Sequence, residues 1–173
     1  MKKLLFILVI SSIAATVSAQ KMTGSSKSAI ISIGLDAGIP VGTEASALSS
    51  FFIGGSLEGD FKVAPELGLT VSAGYQSWTI KKNTIYRIVF GKSIDFVPVL
   101  GGIKYYFTPK VYGSGQLGVS FQTKNGGGSS FTYAPGIGFK ISNNVDILAK
   151  YTGIASTSVG NLNSIGVRLA YSF

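Results

Sequence analysis

Glu58 and Asp60 stand two residues apart with Lys62 two further on, a spacing that puts all three side chains on one face of an extended strand. Two carboxylates on one face could share a proton or hold a cation. The lysine on the same face points instead to ion pairing, because buried charges persist where they are paired. The wider inventory removes most other chemistry. The chain of 173 residues has no histidine and no cysteine, which excludes a Ser-His-Asp relay, thiol chemistry and disulfides. Gly126, Gly127 and Gly128 are followed by no Lys-Ser/Thr and no helix signal, so a flexible loop is expected there and not a phosphate cradle. No catalytic, cofactor or metal-ligand set emerges.

The residues around these charges alternate, and alternation with a period of two marks strands with two unlike faces. The clearest case is the last: Ile165, Val167, Leu169, Tyr171 and Phe173 oppose Ser164, Gly166, Arg168, Ala170 and Ser172. Eight such segments can be drawn, over 29–39, 51–63, 66–75, 96–107, 111–122, 131–141, 145–152 and 163–173. Tight turns at 64–65, 108–109 and 142–144 alternate with longer connections, the longest over 77–93, inside which 84–90 is β-prone. With both termini on one side, this pattern predicts an all-β fold, an eight-stranded antiparallel up-and-down transmembrane β-barrel, its short turns periplasmic and its longer loops outside. Pro98 and Pro135 fall inside predicted strands, where proline removes a ladder donor, and bulges are expected at both.

Alternation alone leaves the inner face open, since a soluble barrel has the same period with its apolar face inward. Three observations favour a polar lumen. The polar face carries the small residues, among them Gly34, Gly54, Gly68, Gly102, Gly118, Gly136 and Gly138, and a lumen of this strand number is barely wide enough for side chains. Its charges balance: Asp36, Glu58, Asp60, Glu66 and Asp146 against Lys62, Lys104, Lys140, Lys150 and Arg168. These ten form the expected lumen ion-pair network, with Phe52, Phe96, Leu100, Tyr106 and Tyr112 also pointing inward. Aromatic residues on the apolar face gather near strand ends, Phe61, Tyr105, Phe107, Phe139, Tyr171 and Phe173 on the short-turn side and Phe51, Tyr75, Phe121, Phe131, Tyr133 and Tyr151 on the other. That placement suits two interfacial girdles.

At the start of the chain, Lys2 and Lys3 precede an apolar run that ends in Val17-Ser18-Ala19, so residues 1–19 read as a cleavable signal peptide, 20–28 as a short tail and 29–173 as the barrel. The apolar run is too short to span a bilayer as a helix. Charged residues make up 13% of the chain, and mean hydropathy is +0.40, which excludes a disordered tail.

The segments 96–107 (FVPVLGGIKYYF) and 133–139 (YAPGIGF), then Val145-Asp146-Ile147 and the terminal Phe173, together resemble the small outer-membrane β-barrel domain family of Bacteroidetes, whose members are OmpA/OmpX-like eight-stranded barrels. The resemblance spans nearly all of 29–173. It implies a location in the outer membrane of a Gram-negative bacterium after export, and no particular activity. It also implies that Leu169, Tyr171 and Phe173 form the signal read by the barrel-assembly machinery.

Of the net charge of +8, Lys2 and Lys3 leave with the leader. The excess then lies in the tail (Lys21, Lys27), at Lys110, and in a basic loop rim of Lys81, Lys82, Arg87, Lys92 and Lys124, offset by Glu44 and Asp95. Such a rim suits lipopolysaccharide phosphates beside the outer-membrane lipid, while nucleic acid is not an expected partner. The expected function is a non-enzymatic integral barrel with a plugged lumen and a structural or interaction role at the envelope, in adhesion or as companion to a larger complex. The alternatives are a secreted soluble barrel binding a small apolar ligand and a narrow diffusion pore.

Overall fold

The structure, a computed structural model, describes residues 29–82, 91–123, 127–155 and 160–173. Eight strands follow one another: β1 (Ala29–Val41), β2 (Ser49–Ala64), β3 (Leu67–Ile80), β4 (Ser93–Tyr106), β5 (Val111–Gln122), β6 (Ser129–Lys140), β7 (Val145–Ala155) and β8 (Asn161–Ser172), with one short helix, α1 (Thr43–Leu48), between β1 and β2. Each strand pairs antiparallel with its sequence neighbours, and β1 pairs β8 through Ser32↔Ser172 to Val41↔Asn163, which closes the barrel and leaves no sheet edge. Every strand meets or exceeds the roughly 9–11 residues that cross a bilayer at a tilt.

Two environments explain why these sequences form strands. Along β8, Leu162, Ser164, Gly166, Arg168 and Ala170 are buried, while Ile165, Val167, Leu169 and Tyr171 are exposed. The same pattern runs through β1, where Ile31, Ile33 and Leu35 point out and Ser32 and Asp36 point in. Exposed large apolar side chains cover the outer wall on all eight strands. In water that surface would be a severe liability; against acyl chains it is the stable arrangement, and the closed ladder satisfies the backbone internally.

Tight turns carry their own chemistry. Thr108 Oγ1 accepts the Val111 amide at 2.9 Å, and Ser142 Oγ accepts the Val145 amide at 3.1 Å, so each hydroxyl closes a turn. Asn144 Nδ2 donates to the Ser172 carbonyl at 2.8 Å, and the Phe173 amide donates to the Ile31 carbonyl at 2.9 Å. The last strand is thereby pinned at the short-turn end.

Several strands outrun the expected bounds. β3 continues to Ile80 and β4 begins at Ser93, so strand takes up 77–80 and 93 at the two ends of the connection expected over 77–93; the β-prone stretch 84–90 lies outside the described residues. Helix α1 was not foreshadowed by any cap or apolar period. The bulges expected at Pro98 and Pro135 are absent. Pro98 pairs Ser120 and Pro135 pairs Gly115 in register. On their other sides the register also holds, from Ala73↔Val99 to Gln76↔Phe96 and from Tyr133↔Gly153 to Gly136↔Lys150. A missing N–H drops a rung without requiring an extra residue. The register shifts sit instead in the pairing of β2 with β3, between Ser49 and Phe51 and between Lys62 and Ala64.

Candidate functional site

The lumen holds the charged side chains, and alternation brings them there from six strands. At its centre, Glu58 of β2 accepts Lys104 Nζ of β4 at 2.6 Å and Gln116 Nε2 of β5 at 2.9 Å, with Arg168 Nη1 of β8 at 3.7 Å. Asp36 of β1 accepts Lys150 Nζ of β7 and the Ser56 hydroxyl, the latter at 2.6 Å. Arg168 is fixed further by donating from Nε to Ser56 Oγ at 2.9 Å and from Nη2 to Ser32 Oγ at 3.0 Å. Glu58 and Arg168 are 3% and 2% exposed. A charge so enclosed is tolerable only with its partners in place.

Towards the short turns, tyrosines join the acids. Tyr112 Oη donates to Asp146 at 2.7 Å and Tyr106 Oη to Asp60 at 2.9 Å, while Lys104 also lies 3.6 Å from Asp60. Gly138 faces Tyr112 so closely that any Cβ there would overlap the ring, which explains a glycine at that position. Lys140 and Lys62 stand over the Tyr106 ring, 5.2 and 6.0 Å from its centroid.

Two members of the expected network lie elsewhere. Glu66 sits in the turn after β2, exposed, and accepts the Tyr105 hydroxyl of the outer face at 2.9 Å. It turns outward because the turn breaks the alternation on which its placement rested. Lys62 is exposed at the mouth, beside the register shift that ends the β2–β3 pairing, and makes no ion pair among the described residues. Asp95, counted among the loop charges, is instead 1% exposed within β4 and accepts the Ser77 hydroxyl at 2.7 Å.

The long-loop end is closed by an apolar cluster, of which Phe52 and Phe96 were expected to point inward and the rest were not. Phe52, Trp78, Ile80, Ile94, Phe96, Ile154 and Leu162 converge inside the barrel, and α1 lays Ala45 and Leu48 over them. Trp78 stacks on Phe52 at 5.1 Å between centroids and meets Phe96 edge-on at 6.5 Å. Glu44 of α1 accepts the Asn161 amide at 2.6 Å and so ties the lid to β8. Inward parity carried through Gln76, Trp78 and Ile80, or through Thr152 and Ile154, is the signal that would have found this plug.

Between plug and mouth, little space is left. The central void, bounded by Asp36, Glu58, Gln116 and Arg168, encloses about 20 Å³, and a second near Asp60, Tyr112 and Asp146 about 10 Å³. Each is about the volume of a single water. Outside the lumen, Leu169, Tyr171 and Phe173 face outward on β8, with Phe173 77% exposed. Lys81, Lys82 and Lys92 are exposed beside the long-loop ends of β3 and β4. Arg87 and Lys124 of the basic rim lie outside the described residues, as do residues 1–28.

Residues 6–173 match the family described as outer membrane protein beta-barrel domain. Among solved structures, the chain is similar to Ail, the attachment invasion locus protein of Yersinia pestis, at 18% identity and a TM-score of 0.61, covering 84% of this chain and 97% of that one. A second structure of Ail, in complex with the heparin analogue sucrose octasulfate, matches at 17% identity and a TM-score of 0.57, covering 84% and 97%. The N-terminal β-barrel domain of Pseudomonas aeruginosa OprF matches at 13% identity and a TM-score of 0.52, covering 83% and 97%. At these identities the likeness concerns the fold. No curated protein matches the chain.

Proposed function

The chain belongs to the outer membrane protein beta-barrel domain family and is an eight-stranded barrel of the Gram-negative outer membrane, and from that premise we propose that it is a closed, non-enzymatic barrel acting through its surface at the cell envelope. One observation carries this reading: among the described residues, the lumen is filled between its long-loop end and the open dish at the short-turn mouth. An apolar plug under α1 closes one end, ion pairs fill the middle, and two voids among the described residues there, of about 20 and 10 Å³, have room for about one water each. A diffusion pore needs a continuous path, and an acid/base pair needs carboxylates not already committed to lysine, arginine and tyrosine. The soluble ligand-binding alternative fails because the apolar face is the outer wall.

What the surface meets follows from its charge. The exposed lysines 81, 82 and 92 border the long-loop end, where the phosphates of lipopolysaccharide would lie, and the Ail complex with a sulfated heparin analogue supports a polyanion as the class of partner. Residues 1–19 serve as the export leader and 20–28 as a tail, with Leu169, Tyr171 and Phe173 presented to the assembly machinery. Planar-bilayer recording tests the central point. Purified monomer is expected to give no stable large-conductance channel, and such a channel, in protein that shows the gel-mobility shift of a folded barrel, would refute the filled lumen.

A further inference from the structure

We propose that the short-turn mouth of the barrel is a binding site for a phosphate-class oxyanion, held between the ammonium groups of Lys62 and Lys140. The two lysines come from β2 and β6 and converge on one ring, that of Tyr106 on β4, at 6.0 and 5.2 Å from its centroid. Like charges brought together repel, and neither ammonium forms an ion pair among the described residues. The nearest acids keep their charge but lie beyond ion-pair distance of both: Asp146, directly across the ladder from Lys140, accepts Tyr112 Oη at 2.7 Å, and Asp60 accepts Tyr106 Oη at 2.9 Å with Lys104 at 3.6 Å. A counter-ion from outside the chain would relieve this convergence.

The mouth is shaped to admit one. A dish of about 390 Å³ opens there, walled by Pro65, Phe107 and Pro109 and lined by Lys62, Tyr106, Thr108 and Lys140. Lys62, Lys140 and Thr108 present donors to it, while the Tyr106 hydroxyl proton is committed to Asp60. Thr108 Oγ1 already accepts the Lys110 and Val111 amides, at 3.2 and 2.9 Å, so its hydroxyl hydrogen is left to donate. The one acid on the wall, Glu66, accepts the Tyr105 hydroxyl at 2.9 Å. A ligand meeting donors on several sides must offer acceptors on several sides, which a tetrahedral phosphate does and a single carboxylate does less well. Lysine serves such groups as a point charge.

The same chemistry has two sources, a soluble phosphate and the headgroup of a phospholipid in the adjoining leaflet. Full-length barrel in a phosphate-free detergent is titrated with inorganic pyrophosphate at constant ionic strength, with side-chain and backbone resonances of Lys62, Tyr106, Thr108 and Lys140 followed by NMR. Saturable shifts confined to this set are expected, weakened about tenfold or more in a Lys62→Gln/Lys140→Gln variant. Lys62 is exposed and Lys140 half-buried, so the variant keeps the gel-mobility shift of the folded barrel. Nanodiscs of phosphatidylglycerol, compared with the detergent sample, then separate the sources: shifts already present and insensitive to pyrophosphate assign the headgroup, shifts that appear only on titration assign the soluble anion. Non-saturating shifts shared with Lys81, Lys82 and Lys92, or an unchanged response in the double variant, would overturn the proposal.

Discussion

Replacing Glu58 by glutamine removes one negative charge from the most enclosed part of the lumen and leaves an amide facing Lys104 Nζ, 2.6 Å from the present carboxylate oxygen. Lys104 would keep Asp60 at 3.6 Å, and Arg168 would keep its two serine hydroxyls but lose the carboxylate at 3.7 Å. With both cations about 95% buried or more, the cost is that of an uncompensated buried charge, about 3–5 kcal/mol. An exposed pair would cost about 1 kcal/mol at most. The companion variant Glu58→Leu/Lys104→Met removes one charge of each sign, so it should cost less than the single variant, although Asp60 then loses Lys104 and Arg168 loses its carboxylate. Urea titration of barrels refolded into lipid vesicles, read by the mobility of unboiled samples, gives both numbers. If Glu58→Gln costs less than about 1 kcal/mol, or the double variant costs as much as the single one, the pairing does not govern lumen stability and the argument fails.

Epitope tags inserted at Gly127 or at position 158 should be reached by antibody on intact cells, whereas a tag at Asn143 should not; labelling at Asn143 would invert the orientation. Deleting Phe173, an exposed aromatic at the rim, removes at most a few kcal/mol of burial. The variant should therefore still refold in detergent but fall sharply in outer-membrane abundance in cells, measured by fractionation. Normal abundance would reduce Phe173 to a girdle residue.

Much of the barrel was legible because alternation is a strong signal wherever one wall meets lipid and the other meets charge. Asp36, Glu58, Asp60, Lys104, Asp146, Lys150 and Arg168 all sit on the buried face that their parity assigns, since a slip by one residue would drive each into lipid. Legibility fails where that contrast fades. Beyond the girdles the outward-parity residues of β3, Ser77 and Thr79, are polar, so β3 and β4 ran further than their apolar alternation suggested. At the plug the inner wall is itself apolar, and Trp78, Ile80 and Ile94 no longer stand out from a lipid-facing run. Glu66 and Lys62 moved for a simpler reason: a turn and a register shift end the alternation that placed them. Which cation meets which acid was beyond reach, because partners such as Asp36 and Lys150 come from strands far apart in sequence, and only the stagger of the closed barrel brings them level.

Trp78 is the chain's one tryptophan, and it lies inside the wall, 1% exposed, with its indole nitrogen lacking a hydrogen-bond partner among the described residues. Its fluorescence is therefore an internal optical gauge of the lid, and not of the membrane. Emission belongs at the blue end of the indole range, shielded from aqueous acrylamide and only weakly touched by quenchers carried on acyl chains. A movement of α1 that admitted water while the barrel stayed closed would redden this emission without altering electrophoretic mobility, so lid opening and unfolding can be timed separately in the unmodified protein.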